Sequence, residues 1–475
     1  MRLFFCISFG VIFLTYDFIE IERKSTVPMY QQLYRSISTA IKNGNLPNGT
    51  VLPSIRRLSG DLSLSRTTIE SAYQQLCVEG YIINKPQSGY YVNIDVSSNT
   101  KKQADPQIPL TNLQIQNRII YNFGSDSIDS ETADVKLWRS YIKDILKKQN
   151  KIISYGDPQG EPELRNAISL YSYTVRGVVC SSDTIVIGAG TQPILWLLCG
   201  MLRQYGKKAA IEKGGFSKAE QIFRDCNFTV EHISGNDDGI DTDELYRSGA
   251  KILFVNPSGN LITGQPMKMN KRYELLYWAE QCGGIIIEDD YNGELRFTSR
   301  PIPAMASMDN EKVIYIGSFS KLLLPSVRIG YTVLPQSILN LYQPKAKLYN
   351  QTASKTEQLA LARYIKERQL DRQLRRLRKT YAEKYRILCE ALKNQFGDDI
   401  KITLHENSLS LILLLKDAIP DIEEKALSKG LKITCLPVDN SSVCAVRLSF
   451  SGIPVNDIIP AVKILKEIYD EREAK

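Results

Sequence analysis

Histidine is almost absent: His232 and His405 are the only two in 475 residues. That scarcity argues against a histidine-based metal centre and against a Ser-His-Asp hydrolase, since both need imidazole at the reacting centre. Cysteine is present nine times, an odd number, and never as a C-x-x-C pair. This argues against a disulfide framework or a thiolate zinc site and for a reducing compartment. Charge of either sign is not in great excess. The formal net charge of +8 is compatible with nucleic-acid binding without establishing it. One apolar run, Leu3 to Leu14, has the length of a signal-peptide hydrophobic segment. It is too short to span a bilayer comfortably, and no A-x-A cleavage site follows it. We read residues 1–22 as an apolar extension, from a start assigned too far upstream or a dispensable addition, and we expect no membrane anchor. What remains is ordinary for a globular protein, with 43% apolar and 24% charged residues and a length sufficient for two or three domains.

The most informative stretch is Val313 to Tyr331, VIYIGSFSKLLLPSVRIGY. Val313-Ile314-Tyr315-Ile316 is β-branched and apolar and predicts a buried strand. A small-residue turn, Gly317 to Ser320, then delivers Lys321. An amine placed at the end of a buried strand is poorly hydrated, which disfavours its charged form and leaves a nucleophile for aldehydes. Ser318, Ser320 and Arg328 supply hydroxyls and a planar guanidinium suited to a phosphate. Such an amine beside a phosphate cradle is what pyridoxal 5′-phosphate (PLP) requires. Ser-x-Ser-Lys is a common string, so the reading depends on what lies upstream. Gly284 to Asp290 is a second buried strand that ends in carboxylates, where open α/β sheets bind ligands. Asp289 is assigned to the ring nitrogen of PLP, Asp290 is left as structural, and Tyr291 is a candidate phenolic contact. Farther upstream, Thr184 to Ile187 leads into Gly188-Ala189-Gly190-Thr191-Gln192-Pro193 and a helical run to Leu202. That glycine turn presents free N–H groups at a helix N-terminus, with Gly190, Thr191 and Gln192 as the anion-facing positions.

The N-terminal part is different in character. Leu33, Ile37, Ala40 and Ile41 recur at helical spacing, and a turn at Asn45 to Gly49 follows. Leu52-Pro53-Ser54 opens a second helix with Ser54 as its N-cap. Ser63 to Thr68 is the turn into a third, Arg66 to Glu79, and Tyr81 to Ile83 pairs with Tyr90 to Val92 around Pro86-Gln87-Ser88-Gly89. This predicts a winged helix-turn-helix. Eight basic residues against three acidic ones between Arg23 and Val92 leave a local balance of +5, the footprint expected of a DNA-binding surface. Ser65, Arg66, Thr67 and Thr68 stand at the start of the recognition helix, where base edges in the major groove are read.

The strings Leu-Pro-Ser-x-Arg, Ser-Arg-Thr-Thr and a Ser-Gly wing resemble the reading head of the GntR regulators. The order of phosphate turn, acidic strand end and lysine resembles fold-type I PLP enzymes of the aminotransferase superfamily. Together they resemble the MocR (GabR-like) branch of the GntR regulators. The resemblance implies that Arg56, Arg66 and Thr68 touch DNA and that Gly89 lies at the minor groove or backbone. It implies that Lys321 carries PLP as a Schiff base, with Phe216 stacked on the ring. Tyr155, in a Tyr-x-x-x-x-Gly-x-x-x-Leu-Arg stretch, would cross a dimer interface to the phosphate of the partner's cofactor. Arg447, on a strand among apolar neighbours, would clamp a ligand carboxylate, and Lys218 is a second cation on the ligand side.

The expected fold class is α/β: a winged helix-turn-helix over 23–95, a flexible linker over 96–118, a PLP-binding large domain over 119–350, and a long helix with a small domain over 351–475. The pattern departs from the superfamily in one loop: Asn260-Leu261-Ile262-Thr263-Gly264 stands for Asn-Pro-Thr-Gly, with Leu261 where the asparagine contacts the PLP hydroxyl. Gly214-Gly215-Phe216 replaces Pro-Gly-Tyr. The expected function is a cytoplasmic, homodimeric, PLP-dependent transcription regulator that binds a double-stranded operator and senses a small amino compound or PLP itself. A PLP-dependent aminotransferase with an accessory DNA-binding domain is the alternative.

Overall fold

The computed structural model describes residues 16–94 except 17 and 24, and 119–471 except 126, 237, 260–264, 291, 298–301, 406–408, 418 and 437–443. The apolar N-terminus, the linker, Leu261 with its loop, and Tyr291 lie outside the described residues. The chain divides into two compact units, Met1–Pro109 and Leu110–Lys475.

In the first unit, helix α1 (Met29–Lys42) buries Leu33, Ile37, Ala40 and Ile41, the stripe expected of one amphipathic face. Helix α2 (Ile55–Leu62) is N-capped by Ser54, whose Oγ accepts from the Arg57 N–H at 3.3 Å. Its last turn ends at Ser63 in the left-handed region, φ 51°. Helix α3 (Arg66–Val78) buries Ile69, Ala72, Tyr73 and Leu76 against the other two. The Tyr73 hydroxyl escapes an unpaired burial by donating to the Pro53 carbonyl at 2.9 Å. The wing has three strands rather than the two expected. The short strand β1 (Val51–Leu52) joins the hairpin of β2 (Ile82–Lys85) and β3 (Gly89–Val92), pairing antiparallel with β3. Two residues ahead of Pro53 carry no legible period, so this strand exists only because β3 offers it an edge.

The second unit is built on a seven-stranded sheet. In chain order its strands are β4 (Ile185–Gly188), β5 (Lys208–Glu212), β6 (Thr229–Ile233), β7 (Ile252–Val255), β8 (Ile285–Asp290), β9 (Val313–Ser318) and β10 (Gly330–Val333). They are ordered β4-β10-β9-β8-β7-β5-β6, and β10 alone runs antiparallel to its neighbours. Alternating apolar and helical stretches in the sequence predict strands near 184, 208, 252, 285, 313 and 330, that is, all but β6. That strand lies at the sheet edge with Thr229 and His232 exposed, so it lacks the continuous apolar run of its neighbours.

Helices α4 (Pro162–Arg176), α5 (Thr191–Leu202) and α6 (Ser217–Asp225) precede or follow these strands. The two faces of the sheet fill two separate apolar clusters. Ile285, Ile287, Ile314 and Ile316 enter one, and Ile286, Tyr315 and Tyr331 the other.

The helical stretch expected from Gln351 to Phe396 is two helices, α7 (Lys355–Lys366) and α8 (Gln369–Phe396). Arg368 takes φ 56° between them, which ends one hydrogen-bond ladder and starts another. Helix α7 stays on the large body, where the buried Gln358 accepts from the Glu161 N–H at 2.8 Å. Helix α8 leads to a small antiparallel sheet of β11 (Ile400–His405), β12 (Ser410–Leu415), β13 (Thr434–Leu436) and β14 (Cys444–Ser449), ordered β11-β12-β14-β13. Helix α9 (Val455–Asp470) packs along α8. Inside this junction Lys384 of α8 is fully buried, 2.5 Å from Asp129, and donates to the carbonyls of Ser451 (3.1 Å) and Ile453 (2.6 Å). No helix among the described residues is long and apolar enough to cross a membrane.

Candidate functional site

The site lies at the C-terminal ends of the parallel strands. Strand β4 ends at Gly188, and Gly190 (φ 96°) turns the chain into α5. No side chain caps the first turn of α5, so its leading N–H groups stay available to an anion. Arg328 closes the other side. Its Nη2 donates to the Ala189 carbonyl at 3.3 Å and its Nη1 to the Ser320 hydroxyl at 3.5 Å. A Cβ on Gly190 would stand 2.8 Å from Arg328 Nη2, so both the backbone angle and this close approach require glycine. The Ser318 hydroxyl accepts from the Ser320 N–H at 3.3 Å, which shapes the turn ahead of Lys321. The Gly190 turn, the Ser318 and Ser320 hydroxyls and the Arg328 guanidinium are thus neighbours, a donor set that fits a phosphate group. Lys321 follows, half-buried, in the turn after β9.

Strand alternation sorts the acidic residues of β8. Asp289 falls on the same face as Ile285 and Ile287, while Glu288 and Asp290 fall on the face of Ile286. Asp289 is 3% exposed and lines a pocket with Ile211, Phe216, Phe254, Val255 and Asn256. Its carboxyl is 3.4 Å from the Thr191 hydroxyl, which donates to it. Desolvation, and then the charge of Asp290, push the Asp289 carboxyl up to about 7. A protonated ring nitrogen is the kind of partner that would restore its charged form. The Phe216 ring stacks on Phe254 at 6.5 Å and 22°.

On the opposite face Asp290 is enclosed in a polar knot. It accepts from Arg176 Nε (2.6 Å), the Ser258 hydroxyl (3.0 Å) and the Tyr315 hydroxyl (2.8 Å). Glu288 accepts two backbone N–H groups, from Met305 and Ala306, both at 2.9 Å. Glu294 accepts from the Tyr171 hydroxyl at 3.1 Å. Burial pushes the carboxyls of Glu288 and Glu294 up to about 7, as it does Asp289. A carboxyl whose folded pKa lies above its unfolded value stabilises the fold below the unfolded value, and that contribution is lost as pH rises toward the folded value. The cofactor-free protein should therefore melt at a lower temperature at pH 8 than at pH 5.5, and Asp289→Asn should flatten part of that slope. A melting temperature that rises across this range would contradict the burial account.

Sequence reasoning missed Arg176, Ser258, Glu294 and Asn256, and took Tyr315 only as part of a buried strand, because no short motif marks the polar pairing of these side chains. Other expected residues differ in their exposure. Tyr155 is fully exposed. Lys218 is exposed in the first turn of α6, two residues after Phe216. Gln192 is half-buried in the first turn of α5. Arg447 is half-buried on β14, in register with Ile412 and Thr434.

In the first unit Arg56, Ser65, Arg66 and Thr67 are exposed and Thr68 is half-buried. The Ser65 hydroxyl accepts from the Thr68 N–H at 3.1 Å and lies 2.8 Å from the Thr67 and 2.7 Å from the Thr68 hydroxyl, so it caps α3 and orders its first turn. Ser65→Ala should cost the head about 1 kcal/mol, the usual worth of a serine cap, read as a lower urea midpoint for the head. An unchanged midpoint would assign the hydroxyl wholly to ligand contact. Gly89 takes φ 100° at the wing tip, where a Cβ would meet open space, so only its backbone angle calls for glycine. Lys85 sits over the Tyr91 ring at 4.7 Å.

Residues 118–454 match the family of class I and II aminotransferases, and residues 29–92 match the gntR family of bacterial regulatory proteins. An uncharacterised HTH-type transcriptional regulator of Bacillus subtilis, YhdI, is 35% identical over 94% of this chain and 97% of its own length. The probable rhizopine catabolism regulatory protein MocR of Rhizobium meliloti is 28% identical over 84% of each chain. In fold the chain is similar to an archaeal alanine:glyoxylate aminotransferase, with a TM-score of 0.67 at 23% identity, over 76% of this chain and 93% of that one. The chain therefore belongs to the gntR-family transcription regulators of MocR-like architecture, in which a DNA-binding winged helix-turn-helix precedes an aminotransferase class I and II body that takes pyridoxal phosphate.

Proposed function

We propose that the protein is a cytoplasmic homodimer that represses or activates transcription in response to an amino compound or to PLP itself. The observation that supports this reading is the joint presence, in one chain, of exposed basic residues on the head (Arg56, Arg66) and of a buried Asp289 pocket with the Gly190, Ser320 and Arg328 turn. PLP, when bound, supplies an aldehyde that an amine captures and a pyridinium ring that withdraws electrons. Lys321 is the amine that holds it. Asp289 binds the ring nitrogen and keeps its proton in place. Gly190, Thr191 and Gln192 offer N–H groups to the phosphate, with Ser318, Ser320 and Arg328 around it. Phe216 covers one face of the ring and excludes water. Tyr291 is the phenolic contact to the ring hydroxyl.

Arg447 binds the carboxylate of an amino-acid-like effector through its planar fork, and Lys218 adds a second positive charge near the entrance. The full exposure of Tyr155 supports a role outside its own subunit: reaching the cofactor phosphate of a second copy. An effector changes DNA affinity only by its unequal affinity for two arrangements of the body. On the head, Arg66, Thr67, Thr68 and Arg56 read or flank the major groove, and Gly89 lets the wing approach the backbone.

The test is an absorption titration of the purified protein with candidate amines and amino acids, followed by a 2-oxo acid. A ligand-specific spectral change that then stays put supports sensing. Steady production of a new keto acid would replace this reading with an aminotransferase carrying an accessory head.

A further inference from the structure

Two helices of the second unit carry rows of positive charge that the site described above does not use. In the helix Val135–Leu146, Trp138, Tyr141 and Ile145 face the core, and Lys136, Arg139 and Lys143 are exposed. In α8, Leu370, Leu374, Leu377 and Tyr381 face the core, and Arg372, Arg375 and Lys379 are exposed. The two helices are neighbours. Gln373 Nε2 of α8 donates to the Thr132 carbonyl at 3.1 Å, and Arg376 lies 3.7 Å from Asp134, which caps the helix Val135–Leu146.

A solvated helix face ordinarily mixes the two signs. The later turns of α8 do so, with Arg386 pairing to Glu390 at 2.8 Å, four residues on. Nearby, Asp144 is shared by Lys147 and Arg363, both at 3.0 Å, and Glu367 is taken by Arg363 at 2.6 Å. The six residues of the two rows differ. Among the described residues none of them belongs to an ion pair. Arg372 and Arg375 donate to the Gln369 side chain (3.4 Å) and the Asp371 carbonyl (3.3 Å), and the Asp371 carboxylate stands on the flank of the α8 row.

The spacing works against the helices themselves. Lys136 with Arg139, Arg139 with Lys143, Arg372 with Arg375 and Arg375 with Lys379 are three or four residues apart, so like charges stand beside one another along each row. Arg372 and Arg375 also lie near the N-terminal end of α8, where the helix dipole disfavours a cation. Neither helix gains from this arrangement. An anionic surface laid across both rows offsets it.

We propose that this face is a second DNA contact, through which the body holds the phosphate backbone of a duplex without reading its sequence. Duplex DNA carries one charge per about 1.7 Å of axis, so the row from Arg372 to Lys379, about 10 Å long at the helical rise, faces about six phosphates. A guanidinium takes a phosphate through two N–H donors, and a lysine adds a point charge. A membrane surface fits less well. Helices that lie on membranes insert an apolar face beside their cations, and the apolar face of α8 is already buried in the core. The inference rests on the DNA-binding head, which supplies the duplex. The body contact adds affinity and salt dependence to that binding, not sequence choice.

The experiment is fluorescence anisotropy of the full-length protein on a labelled duplex of about 40 base pairs of arbitrary sequence, repeated from about 50 to about 300 mM NaCl. One variant combines Arg372→Gln, Arg375→Gln and Lys379→Gln. A control combines Lys147→Gln, Lys151→Gln and Arg386→Gln, which removes the same net charge from cations that already have carboxylate partners. The row variant should lower the slope of log K against log salt by about 3, since each phosphate contact contributes about 0.9. The control should keep the wild-type slope. Lys136→Gln with Lys143→Gln should lower it by about 2, independently of α8. Because like charges are relieved, the row variant should melt no lower than wild type, which separates a lost contact from a lost fold. A row variant with the wild-type slope overturns this contact alone, and a wild type that binds no duplex overturns it together with the function of the head. An equal fall in the control would reduce the effect to net charge and overturn the proposal. Row-dependent binding to phosphatidylserine vesicles, with an unchanged duplex slope, would assign the face to a membrane instead.

Discussion

Lys321→Ala should abolish the visible absorbance of lysine-bound cofactor and, with it, the response of DNA affinity to the effector. The head folds on its own core of Leu33, Ile37, Ile69, Tyr73 and Leu76, so DNA binding itself should persist in the variant. What disappears is the coupling. Ligand-linked changes in affinity of this kind amount to about 1–3 kcal/mol, or roughly 5- to 150-fold in binding. The variant should hold one operator affinity with and without effector, measured by fluorescence anisotropy on a labelled duplex. A variant that keeps the full effector response would remove Lys321 from the switch and return the signal to ordinary non-covalent binding. Lys321→Arg serves as a second variant: it keeps the charge and bulk in the turn but not the nucleophilic amine, so it should lose the response in the same way.

Arg176→Met should destabilise the body by about 3–5 kcal/mol, the usual consequence of stranding one partner of a buried ion pair. The guanidinium and the Asp290 carboxylate are both fully buried, 2.6 Å apart. Arg176 Nη2 also donates to the Ser258 hydroxyl at 2.6 Å, and Nη1 to the Ile302 carbonyl. Methionine fills much of the space but pairs with none of these. Asp290 would then keep only the Ser258 and Tyr315 hydroxyls while flanked by Glu288 and Glu294, whose carboxyls already sit at about 7. Chemical denaturation followed by far-UV circular dichroism reads the loss. The double change Arg176→Met with Asp290→Leu should recover much of it, because the stranded charge goes too. A single-variant loss below about 1 kcal/mol would show that water reaches the knot and screens it.

The disposition of these residues shows what was legible from the chain and what was not. The strands at the site read well, because they are apolar on both faces and end in glycine, serine or acid: Ile185–Gly188, Ile285–Asp290 and Val313–Ser318. The helix cap at Ser54 was legible in kind, since a cap is a local bond three residues long; the Ser65 cap was not read. Three features were not. The strand Val51–Leu52 is defined by its partner rather than by its own period. The break at Arg368 falls inside a stretch rich in helix formers, so only the packing of the two helices on different bodies produces it. Arg176 sits at the end of a helix 114 residues before Asp290, and no local pattern couples them.

The sequence by itself determined the two-part organisation, the α/β class and the cofactor. Period, turn chemistry and short motifs are local, and local interactions are written in neighbouring residues. Tertiary structure decided that Asp290 is tied to Arg176, because that pairing forms only once both faces of the sheet are packed. It also decided that Gly190 must yield to Arg328 across 138 residues. These are meetings between distant parts of the chain, which burial and strand register bring about and no single stretch can announce.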